Sequence, residues 1–292
     1  MISATSSATG SPGASPPEEA NWPYPTLFAH RAGGTLAPEN TLAAIKCGYE
    51  HGYTAFEFDV KLSADGIAIL MHDDHLSRTT NGSGKVAEKT MAELAKLDAG
   101  AWHSPQFRGE PVPRFSAVAK YLHGLGLVAN VEIKPCPGRE AATGQLVAEL
   151  CQSLWQDRLV KPLLSSFSVQ ALTAAHAVSG ALPLGLLVNE LSPAHLPTLR
   201  ALNCVSINGN HGHITGDSIK FFHAQGIRVL AYTVNDLARA AELIDLGIDG
   251  IFTDQLNHMA KRFPERLRDA GNAMVDPQDW DESWIGAIPP MP

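Results

Sequence analysis

The sequence predicts an α/β protein: one (β/α)8 TIM barrel with a small insertion (a cap) between its second strand and the helix that follows. Three observations carry this expectation. Eight short apolar runs alternate with segments of helical period, the pattern of parallel strands joined by crossover helices. Ionisable and amide residues gather late in those runs, where the active-site groups of such barrels sit. One connection, from 61 to about 114, far exceeds the usual length of roughly 2 to 6 residues.

The strands are expected at LFAHR (27–31), AFEFDV (55–60), LVANVEIK (127–134), LLSSF (163–167), PLGLLVN (183–189), CVSIN (204–208), RVLAYTVN (228–235) and GIFTD (250–254). Helices follow most of them. In PENTLAAIKCGYEHG, Pro38 suits a first helical turn, and in DLARAAELIDLG, Asp236 suits an N-cap and Gly247 a C-terminal stop. Within the long connection, IAILMHD after the turn SADG reads as the return strand of a hairpin. RTTNGSG and a helical stretch around 90–98 follow it.

A length of 292 residues allows two domains or one barrel. The strand count favours one barrel over 25–265, flanked by Ser/Gly/Pro-rich or polar segments at 1–24 and 266–292 that read as disordered tails. With 45% hydrophobic and 18% charged residues, the chain is not a collagen, a coiled coil or a disordered polymer. A net charge of -8 is the wrong sign for gripping a nucleic acid backbone. Cys47, Cys136, Cys151 and Cys204 lack zinc or disulfide spacing and read as free thiols. No apolar run reaches the roughly 18 residues that cross a bilayer. With no secretory-signal pattern at the amino terminus, a cytoplasmic location without stable membrane insertion is expected. The oligomeric state is left open.

Glu57 and Asp59 stand two apart on one strand and so share a face; Glu132 and Lys134 repeat the spacing on the next. Two carboxylates about 5 Å apart repel by roughly 3 kcal/mol at an effective dielectric near 20. A cation is expected among Glu57, Asp59 and Glu132, and an all-oxygen set favours Mg2+ or Ca2+ over zinc. His30 ends the first strand and His72 ends the inserted one, so the pair could divide proton abstraction and leaving-group protonation. Arg31 and Lys134 would clamp phosphoryl oxygens. Asp73, Asp74 and His75 are assigned to solvent or turns, and His211 to a loop. Three carboxylates, one divalent ion and two basic side chains leave about +1, which a phosphodiester monoanion balances.

At these residues the sequence resembles the glycerophosphodiester phosphodiesterases of the cytosolic bacterial type. HRAGGTLAPENTLAA (30–44), EFDVKLSADG (57–66), LMHDDHLSRTTNG (70–82) and VEIKP (131–135) carry the resemblance, which spans about 26–263. It implies a (β/α)8 barrel with an insertion after strand two, and cation-dependent hydrolysis of glycerophosphodiesters, small-molecule substrates, to glycerol 3-phosphate and an alcohol. It matches His30 and His72 to an acid/base pair, Glu57, Asp59 and Glu132 to metal ligands, and Arg31 and Lys134 to phosphate contacts. Ala32 stands where the family commonly has Gly, and Tyr232 where Trp is frequent. Phe167 and Tyr232 are the expected walls for glycerol. The nucleophile is left as water or the glycerol 2-hydroxyl. Rival readings are a barrel phosphodiesterase of intact phospholipid and a non-catalytic barrel that binds a phosphorylated ligand.

Overall fold

The computed structural model describes residues 22–267. The segments 1–21 and 268–292, where most of the two expected tails fall, lie outside the described residues. Eight parallel strands form the barrel: β1 (Leu27–Ala29), β2 (Ala55–Leu62), β4 (Val128–Ile133), β5 (Leu163–Ser166), β6 (Leu184–Val188), β7 (Cys204–Asn210), β8 (Arg228–Tyr232) and β9 (Gly250–Thr253). The sheet closes because β1 pairs with both β9 and β2. β3 (Ala68–Leu70) lies outside this ring, antiparallel to β2 with Val60 opposite Leu70.

Helices α1 (Leu42–Glu50), α3 (Phe115–Gly124), α4 (Glu140–Leu154), α5 (Val169–Val178), α6 (Leu196–Ala201), α7 (Gly216–His223), α8 (Leu237–Asp245) and α9 (Leu256–Arg262) each follow a barrel strand. Asp236 caps α8 by accepting from the Arg239 N–H, and Gly247 beyond it has φ +86°. Pro38 is not in the first turn of α1. The helix starts only after Thr41, whose Oγ1 accepts from the Ala44 N–H and donates to the Pro38 carbonyl. No helix among the described residues is long and apolar enough to cross a membrane.

Strands buried on both faces carry two apolar sets. Phe56, Phe58, Val60, Ala129, Val131 and Ile133 face outward, into the core shared with the helices. On the inner face, Phe28, Ala55, Val128, Leu163, Leu230 and Phe252 fill the amino end of the barrel together with Tyr24. Each such large side chain contributes roughly 1.5–3 kcal/mol by leaving water. Tyr24 therefore belongs to the barrel and not to a tail: it is buried, and its hydroxyl donates to the Lys161 carbonyl at 2.7 Å. Leu267 is likewise buried, and its carbonyl accepts from Thr54 Oγ1.

One pleat above that apolar floor, the inner face turns polar. Asn130, Ser165, Ser206 and Asn208 are all at most 1% exposed. Asn130 donates to Ser165 and Ser206 donates to Asn208, each at 2.9 Å. The next residues outward on β2 and β4 are Asp59 and Glu132.

Residues 63–114 form the insertion. It has a small core of its own, made by Ile69, Met71, Leu76, Val86, Met91, Leu94, Ala99 and Val112 with Cys136 of the barrel. Its expected helix is shorter than the 90–98 stretch suggests: α2 covers only Met91–Leu94, started by a capping box between Thr90 and Glu93. All four cysteines are free thiols.

Candidate active site

The end of β1 makes the sharpest departure from the expected strands. β1 stops at Ala29, and Arg31 and Ala32 take φ values of +48° and +70°, a left-handed stretch that costs non-glycine residues about 1–2 kcal/mol each. The turn is held by Glu57: its side-chain Oε2 accepts from the Arg31 N–H and its carbonyl from the Ala32 N–H, both at 2.8 Å. The same turn aims the His30 ring inward and brings its Nε2 to 3.9 Å from Glu57 Oε2. Ala32, where a glycine is usual in the resembling family, accepts this conformation and is fully buried.

His30, Arg31, Glu57, His72, Glu132, Lys134, Phe167 and Tyr232 line one cavity of about 210 Å³, with Asn130 and Ser165 also on its wall. Every expected site residue is there except Asp59, which lies just beneath at 1% exposure. His72 is the insertion's one residue on this cavity wall, so the insertion walls a side of the mouth rather than roofing it.

Glu57, Asp59 and Glu132 offer carboxylate oxygens within 4.8 Å of one another. Burial, then the Asp59 charge, raises Glu57 to about 8 and Glu132 to about 7. Asp59 behaves in the opposite way. Burial pushes it up, but Lys134, His72, Arg31 and the Asn40 amide together bring it down to about 2. Asn40, in left-handed conformation at φ +59°, donates Nδ2 to Asp59 Oδ2 at 2.9 Å and accepts from the Asp59 N–H at 3.0 Å. Lys134 Nζ lies 2.8 Å from Glu132 Oε1 and 3.4 Å from Asp59 Oδ1. Lys134 therefore pairs with one oxygen of Glu132 and with Asp59. Three carboxylates this close, an all-oxygen donor set, fit a hard divalent cation.

The two histidines are mounted alike. His30 Nδ1 donates to Asp254 Oδ1 at 2.6 Å, and His72 Nδ1 donates to Asp73 Oδ1 at 2.8 Å. Each carboxylate fixes the tautomer that leaves Nε2 free. Burial pushes His30 down, but Asp254 and Glu57 outweigh it and raise the ring above the usual histidine value. His72 is lowered, by burial first and by Arg31 and Lys134. At the outer wall Phe167 is 47% exposed and meets Tyr232 edge-on at 5.7 Å. The Tyr232 hydroxyl donates to the Val188 carbonyl at 2.7 Å, which pins the ring to β6.

Several residues outside the sequence-based set hold these groups. Asp254 and Asn235 support His30, with Asn235 Nδ2 donating to Asp254 Oδ2 at 2.9 Å. Asp73 and Asp74 lie in a bend and are partly exposed, as expected, but each also holds a group at the site. Asp73 binds His72, and Asp74 pairs at 2.7 Å with the buried Lys61 ammonium, which also donates to the Lys134 carbonyl. The signal available in sequence was the pairing of an ionisable residue with a strand end, in FTD at 252–254 and in HDD at 72–74. His75 is exposed and bridges to Lys85, and His211 sits in a short turn away from the cavity.

Three buried carboxylates, two anchored imidazoles and two basic side chains at the carboxyl mouth of a (β/α)8 barrel define a hydrolase of phosphate esters. The model of the glycerophosphoryl diester phosphodiesterase family matches residues 30–258, and the chain belongs to that family. YhdW of Bacillus subtilis is 33% identical over 80% of this chain and 96% of its own length. A glycerophosphodiester phosphodiesterase of Caldanaerobacter subterraneus is 31% identical over 78% of this chain and 93% of its own length. A phosphodiesterase of Oleispira antarctica, solved with the product sn-glycerol-3-phosphate, aligns with a TM-score of 0.77 at 32% identity, over 82% of this chain and 97% of that one.

Proposed function

We propose that the protein hydrolyses glycerophosphodiesters to glycerol 3-phosphate and an alcohol, with Glu57, Asp59 and Glu132 holding one divalent cation, Mg2+ or Ca2+. The observation that carries this reading is the convergence of both Nε2-free histidines and the carboxylate cluster on one cavity. The cation would supply a Lewis acid for charge developing on the phosphoryl oxygens. Arg31 and Lys134 orient the diester by binding its non-bridging oxygens. One imidazole takes the proton of the nucleophile at Nε2 and the other returns a proton to the departing alkoxide. Phe167 and Tyr232 give the alcohol groups an apolar wall that limits access of stray water. The Oleispira antarctica relative's bound glycerol 3-phosphate supports the same product here.

The test is release of glycerol 3-phosphate from glycerophosphocholine, with and without EDTA, by wild-type protein and by the His30→Ala and His72→Ala variants. EDTA-sensitive release that each substitution lowers by orders of magnitude, to a residual rate that can still be measured, is expected. Release indifferent to EDTA, or undiminished in either variant, would overturn the reading.

A further inference from the structure

Arg31 and His72 reach the cavity from different parts of the chain, Arg31 from the turn after β1 and His72 from the insertion. Behind them runs an unbroken sequence of charged contacts. Arg31 NH1 donates to both Glu39 oxygens at 3.0 and 3.1 Å. Those oxygens also accept from Arg78 NH1 and NH2 at 2.7 and 2.8 Å. The other edge of the Arg78 guanidinium donates from Nε and NH2 to the two Asp73 oxygens, and Asp73 accepts from His72 Nδ1. The charges alternate along the row, and Arg78 is its centre.

We propose that Arg78 is a positioning residue for the hydrolysis: it aligns Arg31 through Glu39 and His72 through Asp73, without touching substrate. This rests on the reading of His72 and Arg31 given above. Three features separate the arrangement from an ordinary surface ion pair, which contributes little. Both contacts of Arg78 are two-pronged, a geometry only a planar guanidinium supplies and lysine cannot copy. Glu39 is 11% exposed, so its pairing is poorly screened. Both carboxylates spend their remaining bonds on residues of the cavity wall, whereas Arg78 itself is not on that wall. Without Arg78, Glu39 would bind Arg31 alone and Asp73 would be free to swing its imidazole.

The two arms predict separable effects. Asp73→Asn acts on His72 and lowers kcat; Glu39→Gln acts on Arg31 and raises KM for glycerophosphocholine. Arg78→Gln does both, with an expected loss of roughly 10- to 100-fold in kcat/KM, by analogy with the loss when the outer partners of metal ligands are removed. Arg78→Lys recovers little of it. In a His72→Ala background, Arg78→Gln lowers kcat no further, because the arm it works through is gone. Added guanidinium ion restores part of the activity of Arg78→Ala, a response a merely structural role would not give.

Kinetics on glycerophosphocholine, at saturating Mg2+ or Ca2+, decide the matter. Wild-type kcat/KM in Arg78→Gln, or a kcat loss that simply adds to that of His72→Ala, overturns the proposal. If Arg78→Gln fails to fold, Asp73→Asn and Glu39→Gln still test it: parallel changes in kcat and KM in both variants overturn it. Full activity of His72→Ala would instead overturn the assignment of the site.

Discussion

Asp254→Asn should cripple His30 while leaving the protein folded, and the structure says how. Asn235 is locked in orientation because its Oδ1 accepts from the Asp254 N–H at 2.8 Å, so its Nδ2 must point at the Asp254 side chain. An asparagine at 254 has only one oxygen to meet two donors, Asn235 Nδ2 and His30 Nδ1. Turning that oxygen toward Asn235 places the new NH2 against His30 Nδ1, which drives the ring proton to Nε2, the nitrogen nearest Glu57. The imidazole then holds the wrong tautomer for proton transfer at the cavity. The lost charge pair adds to this. Unit charges about 4 Å apart interact by roughly 4 kcal/mol at an effective dielectric of 20. With the partners 18% and 27% exposed, solvent screening halves that to about 2 kcal/mol, or some thirtyfold in rate. With the tautomer effect, kcat should fall by about 10²- to 10³-fold with little change in melting temperature. Initial rates of glycerol 3-phosphate release and nitrogen NMR of the His30 ring would check both parts. A variant within threefold or so of wild type, or a ring still protonated at Nδ1, would refute the reasoning.

Two further outcomes follow from the geometry. Gly34 has φ +53°, and a Cβ there would lie 2.2 Å from the Asp254 carbonyl oxygen and 2.4 Å from Leu256 Cδ1. Gly34→Ala should therefore cost about 2 kcal/mol or more, lowering the melting midpoint by roughly 4 °C or more, and reduce kcat by displacing Asp254; an unchanged midpoint would count against the contact. In EDTA, Glu57 and Glu132 keep their protons up to about 8 and 7, whereas an unfolded glutamate loses its proton near 4.3 or so. Between those limits the folded, metal-free protein binds more protons, so the stability from these groups is present below about pH 4.3 and is lost as pH rises through 7 to 8. A divalent ion displaces the same protons, and the gap in melting midpoint between metal-loaded and EDTA-treated protein should be wider at pH 8 than at pH 6. Equal gaps would argue against the cluster as the metal site.

Most of the barrel was legible because buried parallel strands are nearly continuous apolar runs, and the polar residues at their ends obey a period of two. That period put Glu57 with Asp59 and brought Glu132 beside them. The end of β1 was not legible: left-handed turns at Arg31 and Ala32 carry no compositional mark, since glycine, the usual signal, is absent at both. The length of α2 was set by packing of Met91 and Leu94 in the insertion's own core, against a helical pattern that runs on to 98. Trp22 and Tyr24 sat beside a Ser/Pro-rich segment and took their reading from it, although Tyr24 fills the barrel's end. Asp254, Asn235, Asp73 and Arg78 were missed for one physical reason. Their importance is a matter of what they touch, which sequence spacing does not show, whether the partner is far off, His30 and Asp254 being 224 positions apart, or adjacent, as His72 is to Asp73.

The apolar layer of Phe28, Leu163, Leu230, Phe252 and Tyr24 makes the barrel a blind well rather than a through-channel. Substrate, water and both products share one doorway, so departure is single file. A product seated deeper than its partner would leave second and exclude the next substrate until it did. Such a product should inhibit competitively against glycerophosphodiester.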